Sequence, residues 1–244
     1  MPDRTIALVT GANKGIGLEI ARRLGRQGAV VHLGARDADR GRAAAAQLTA
    51  QGITAHPLHL DVTDPAGITA AAAALAARHG RLDILVNNAG ITGAFTGPPS
   101  AATPQDLREV YDTNVFGVLA VTNALLPLLR RSPAGRIVNL SSTVGSLTLG
   151  ADFTSATGFD DYNLITYQSS KTALNALTVA YARELRGTPI KVNAANPGFT
   201  ATDMNGHRGH QSVEQGATVA VRLATLGPDG PTGTSQDDNG PVPW

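Results

Sequence analysis

The chain predicts an α/β fold: one doubly wound domain whose parallel sheet of about seven strands carries helices on both faces. Three observations predict it. Short unbroken apolar runs alternate with longer stretches of helical spacing along the whole chain, and buried parallel strands read as such runs because both their faces are covered. A glycine-rich turn, Thr10 to Gly17, joins the first apolar run directly to the first helical stretch. No linker, repeat or charge block divides the 244 residues, so residues 1–244 form a single domain.

In chain order, the strand-like runs are Ile6–Val9, Val30–Leu33, Ala55–Leu60, Ile84–Val86, Ile137–Leu140 and Ile190–Ala194. Between them lie Ile16–Gln27, Arg40–Gln51, Pro65–Arg78, Pro104–Arg130 and Tyr167–Arg186, which are Ala-rich or apolar at helical spacing. Two stretches, Gly145–Asn163 and Asn205–Gln211, carry neither pattern. The tail from Gly227 is rich in Gly, Pro and Asp, with one short strand expected near Thr232–Gln236.

Bulk composition narrows the function. Twenty basic residues balance 19 acidic ones for a net charge of +1, so no basic field calls for nucleic acid. The absence of cysteine excludes disulfides, thiolate catalysis and Cys-held metals. The apolar run Ile6–Val9 is too short for a signal core or a membrane span. A soluble, cytoplasmic protein with no membrane partner is expected.

The first functional signal is the turn Thr10-Gly11-Ala12-Asn13-Lys14-Gly15-Ile16-Gly17. Small residues let backbone approach a pyrophosphate, and the following helix N-terminus offers free N–H groups and a positive dipole end. The turn lacks the Gly-Lys-Ser/Thr ending of a phosphoryl-transfer loop. At the end of the second strand, where an acidic residue would bind an adenosine ribose diol, the chain has Ala35 and then Arg36. A guanidinium there suits a ribose 2′-phosphate, with Lys14 as a second cation, so NADP(H) is favoured over NAD(H). Asp37 lies close enough to complicate that choice.

The second signal is Tyr167 with Lys171 four residues on, in a helical stretch free of Pro and Gly. That spacing places phenol and ammonium on one face. A neighbouring positive charge favours the phenolate, so the pair predicts a Tyr drawn toward working pH as a general acid/base.

Taken in order, Thr10 to Gly17, Asp61-Val62, Asn87-Asn88-Ala89-Gly90, Asn114, Ser141-Ser142, Tyr167-x-x-x-Lys171 and Pro197-Gly198 resemble the short-chain dehydrogenase/reductase family over nearly the whole chain. The pair Asn13-Lys14, the strand end Ala35-Arg36-Asp37 and the stretch Val242-Pro243-Trp244 lean toward its NADPH-dependent carbonyl reductase type. The resemblance implies a Rossmann-type domain and reversible reduction of a small ketone or aldehyde. Tyr167 would protonate the carbonyl oxygen, while Lys171 would lower its pKa and bind the nicotinamide ribose. Ser142, or failing it Ser141, would hydrogen-bond the carbonyl, and Asn114 would hold a water linked to Lys171. Gly11, Asn13, Lys14, Gly15, Ile16 and Gly17 would hold the pyrophosphate side, with Arg36 at the 2′-phosphate. Asp61 and Val62 would meet the adenine, and Asn88, Ala89 and Gly90 would line the cofactor. Pro197, Gly198, Thr200 and Thr202 would seat the carboxamide.

One departure from the family pattern is the long stretch between Ser142 and Tyr167, which falls in Gly145–Asn163. A substrate-site cover and a surface loop without a role both fit it, and such insertions imply a monomer or homodimer. His56 and His59 lie in a strand, and His207 and His210 in a Gly-rich loop, so neither pair forms a metal site. Two alternatives remain open: a cofactor-binding sensor without turnover, and a reductase of C=N bonds.

Overall fold

A computed structural model describes residues 4–95, 97–152 and 164–244. Strands β1 (Ile6–Thr10), β2 (Val30–Ala35), β3 (Ala55–His59), β4 (Ile84–Asn87), β5 (Arg136–Leu140), β6 (Lys191–Ala195), β7 (Ser235–Asp237) and β8 (Gly240–Pro241) form one sheet. Its order is β3-β2-β1-β4-β5-β6-β7-β8, parallel throughout except for the β7–β8 pair. Sequence led to about seven strands; the eighth is the two-residue β8, too short to carry a pattern.

Helices α1 (Gly15–Arg26), α2 (Ala38–Thr49) and α8 (Val213–Ala224) cover one face. Helices α3 (Pro65–His79), α5 (Gly117–Leu129) and α7 (Ile165–Glu184) cover the other. Alternate strand residues divide between the two cores: Ala7, Val9, Val31 and Leu33 on the α1 side, Ile6, Leu8 and Val30 on the α3 side. Each fully buried Leu or Ile, such as Leu8, Leu85 or Ile137, contributes roughly 1.5–3 kcal/mol of transfer free energy.

Three elements differ from the sequence expectation. Pro104–Arg130 is not one regular helix: α4 (Pro104–Tyr111) passes through a π-helical turn, Asp112–Phe116, into α5. By length and composition the run Pro104–Leu129 could cross a membrane, but half of its apolar window is buried. Val110, Val118, Val121, Leu125 and Leu129 pack inside the domain, which accounts for that apolar character. Gly145–Asn163 is not wholly patternless, because Leu147–Gly150 forms a short helix, α6, capped by Ser146; the rest of that call, 153–163, lies outside the described residues. Helix α8 went unassigned from sequence although Ser212 and Gln215 form a capping box ahead of it.

Strand β1 pairs with β2 on one side and β4 on the other, so the chain reverses direction across the sheet between them. In open α/β sheets ligands bind beyond the carboxyl ends of the strands at such a point. The candidate residues after β1, β2, β4, β5 and β6 all lie at that end.

Candidate active site

The glycine turn after β1 is a backbone cradle. Gly11 and Gly15 adopt φ of +62° and +55°, where a Cβ is strained. A methyl group at Gly17 would lie 2.4 Å from Asn88 Nδ2 and 2.7 Å from the Gly11 carbonyl, so that position excludes any larger side chain. Thr10 Oγ1 accepts from the backbone N–H groups of Asn88 and Ala89, each at 3.0 Å. Asn88 Nδ2 donates back to the carbonyls of Thr10 and Gly11, stitching the end of β4 to the turn. Helices α2, α3, α4 and α8 each have a side-chain cap at their N-terminus, whereas α1, entered from Lys14, has none and carries no acidic residue in its first turn, as is also true of α7. The N–H groups that follow, from Gly15, Ile16 and Gly17, are thus left for an anion, which fits a dinucleotide pyrophosphate.

At the end of β2, Arg36 is exposed and its carbonyl accepts from His59 Nε2 at 3.1 Å. Asp37 does not compete for a ribose, because its carboxylate caps α2 through the Arg40 N–H and pairs with the Arg40 side chain. Asp61 is held by the N–H and hydroxyl of Thr63 at 2.9 and 2.8 Å. Those bonds, with Arg36 and His59 nearby, keep its carboxyl below the usual carboxylate range. Val62 beside it is buried. Lys14 and Asn13 sit in the turn itself, and Lys14 Nζ is 2.5 Å from Asp203 Oδ2.

The reacting end lies after β5. The Ser142 side chain reaches the Tyr167 phenol, while Ser141 is buried and donates to Asn175 Oδ1 at 2.6 Å. The structure therefore brings Ser142, and not Ser141, to the phenol. Lys171 Nζ donates to the Leu140 carbonyl at 2.7 Å and stands 5.3 Å from the Tyr167 ring centroid. Burial pushes the phenol up to about 12, with the Ser142 hydrogen bond pulling the other way. Burial also pushes Lys171 down to about 8. The expected lowering of Tyr167 is thus corrected: in the protein alone, desolvation of the phenolate outweighs the pull of Ser142.

Asn114 occupies the π-helical turn between α4 and α5, a distortion common at functional sites. Its amide clasps the backbone of Ile91 at both ends, 2.9 Å each, and donates to Ser170 Oγ at 3.0 Å. An atom added at Gly90 would lie 3.3 Å from Asn114 Oδ1 and 3.6 Å from Lys171 Nζ, so Gly90 separates the two by one small residue.

The loop after β6 closes the opposite side. Gly198 has φ of +70° and packs on Gln211. Thr200 donates to the Pro197 carbonyl and bridges to Gln211. The Thr202 methyl faces the glycine turn, 3.8 Å from the place of a Gly15 Cβ.

Sequence reasoning assigned no role to four members of this framework. Thr10 carries a stitch to β4, Ser170 fixes Asn114, Asn175 takes up Ser141, and Asp203 meets Lys14. Ser170 stood beside Lys171, Asp203 beside Thr202, and Thr10 opened the glycine-turn motif itself, but the partner of each is found only through the fold.

The family described as short chain dehydrogenase matches residues 5–212. Carbonyl reductase (NADPH) 1 of Mus musculus is 37% identical over 279 residues, covering 99% of each chain. The (+)-neomenthol dehydrogenase of Arabidopsis thaliana is 35% identical, covering 90% of this chain and 91% of its own. The crystal structure of NADPH-bound carbonyl reductase from chicken fatty liver is similar with a TM-score of 0.84, at 30% identity and full coverage of both chains.

Proposed function

The chain belongs to the short chain dehydrogenase family, and on that premise we propose that it reduces a ketone or aldehyde to an alcohol with NADPH, reversibly. NADPH held in the glycine-turn cradle would supply the hydride for the carbonyl carbon. Tyr167 delivers the proton to the carbonyl oxygen, and a phenol pushed up to about 12 keeps that proton until the oxygen gains electron density. Ser142 shares its hydrogen bond between phenol and carbonyl, stabilising the charge that develops on oxygen. Lys171, anchored on Leu140, holds a positive charge behind the phenol and offsets the negative charge left on Tyr167. Asn114 orders the backbone of Ile91 beside Lys171, where it would help hold a water that links Lys171 to solvent.

Gly11, Asn13, Gly15, Ile16 and Gly17 hold the pyrophosphate on backbone groups, while Arg36 and Lys14 take the 2′-phosphate. Asp61 and Val62 border the adenine, Asn88, Ala89 and Gly90 line the cofactor, and Pro197, Gly198, Thr200 and Thr202 border the carboxamide.

The observation that carries the reading is the buried Lys171, anchored on the Leu140 carbonyl and 5.3 Å from the Tyr167 ring centroid, with the Ser142 side chain at the phenol. The test follows NADPH absorbance across a panel of ketones and aldehydes. Consumption that depends on the carbonyl, with alcohol formed in equal amount, is expected. Tight NADPH binding with no turnover on any carbonyl would favour a sensor instead.

A further inference from the structure

The turn Asp203–Asn205 after β6 carries an acidic side chain across the mouth of the glycine turn, and its partner there is far away in sequence. Asp203 Oδ2 meets Lys14 Nζ at 2.5 Å, and Asp203 Oδ1 meets His207 Nε2 at 2.8 Å. Both Lys14 and Asp203 are more than half exposed, so the pair is free to exchange partners. The turn that bears Asp203 does not depend on Lys14 for its shape. Asn205 Nδ2 donates to the Thr200 carbonyl, the N–H groups of Asn205 and His207 donate to the Thr202 carbonyl, and Thr200 bridges to Gln211. Asp203 therefore keeps its place, and keeps His207 as a partner, when Lys14 leaves.

Lys14 is the cation assigned above to the 2′-phosphate, and the inference rests on that reading. One ammonium cannot give its full attraction to a carboxylate and to a phosphate dianion at once. We propose that Asp203 is a cofactor-specificity residue: its carboxylate competes with the 2′-phosphate for Lys14, so Asp203 weakens NADPH binding selectively. NADH presents no 2′-phosphate, leaves the Lys14–Asp203 pair in place, and does not meet this competition. Asp203 thus narrows the preference for NADPH that Arg36 and Lys14 create.

The test is a double-mutant cycle on the intact protein, with NADPH and NADH dissociation constants for wild type, Asp203→Asn, Lys14→Ala and the double variant. Asn keeps the shape of the turn, and thermal melting checks that each variant is folded. Asp203→Asn is expected to tighten NADPH about two- to fivefold, the span of an exposed ion pair, and to leave NADH unchanged. Lys14→Ala is expected to weaken NADPH alone, and adding Asp203→Asn to it should then change nothing. Equal tightening of NADPH and NADH, no tightening of NADPH, or the same tightening in the Lys14→Ala background would each overturn the competition. A wild type that binds both cofactors equally would instead sink the NADPH assignment itself, and the inference with it.

Discussion

The two ends of the site solve electrostatics in opposite ways. At the phosphate end the charged groups, Arg36, Lys14 and Asp203, are exposed, and the shape is set by backbone: an uncapped helix start and glycines packed on Asn88. At the reacting end, Lys171, Asn114, Ser170 and Ser141 are almost wholly buried, each with a named partner. Exposed charges are screened and exchange partners easily, so each is worth a few-fold in affinity. Buried polar groups act in a low dielectric, where a lost donor costs orders of magnitude in rate. Binding can therefore be tuned residue by residue at the surface, whereas catalysis rests on a small fixed cluster.

The sharpest way to break this contrast is the serine pair. Ser142→Ala should lower kcat by about 10²–10³-fold, as for removal of one positioned donor, with NADPH affinity unchanged. Ser141→Ala, which removes a structural bond to Asn175, should lower thermal stability far more than kcat. Comparable kcat losses in both variants would show that the two serines share the role.

An intermediate effect concerns a buried cluster outside the site. His32 on β2 lies 2.8 Å, Nε2 to Nε2, from His79 at the end of α3, and its ring is 5.4 Å from that of His56 on β3. Burial, then the fields of His79, His56 and Arg78, lowers His32 to about 3. Below the unfolded value of 6.5 the unfolded chain binds the proton that the folded one excludes. The stability is fully present above 6.5 and is lost as pH falls from there toward 3. The loss from this one group approaches ~1.4 kcal/mol per pH unit below the unfolded value. Urea midpoints taken between about pH 7 and pH 5 should fall in wild type and fall less in His32→Leu; parallel slopes would place the acid sensitivity elsewhere. The Asp203→Asn shift stands at the small end of the scale, because it alters one exposed pair.

Sequence was most readable where local chemistry repeats a rule. The unbroken runs of β1, β2, β4, β5 and β6 and the glycine turn were legible because a strand covered on both faces and a phosphate cradle each leave a contiguous signature. The π-helical turn at Asn114 was not legible, since Asp112 to Phe116 read as ordinary helix and Asn114 meets its partner Ile91 only in the packed fold. Asp203 was invisible for the same kind of reason, its partner Lys14 lying at the other end of the chain. The sign of the Tyr167 shift was misread because spacing reports which charges are near, while burial, which here pushes the phenol up, belongs to the packed fold.

The central claim is that a half-buried acid beside a buried lysine does the chemistry while a separate surface holds the cofactor. Tyr167→Phe tests it most directly, with NADPH binding and carbonyl-dependent NADPH oxidation measured on the same preparation. Turnover should drop by about 10²–10⁴-fold, while the NADPH dissociation constant stays that of wild type. Turnover close to wild type, or loss of NADPH binding in step with loss of turnover, would contradict it.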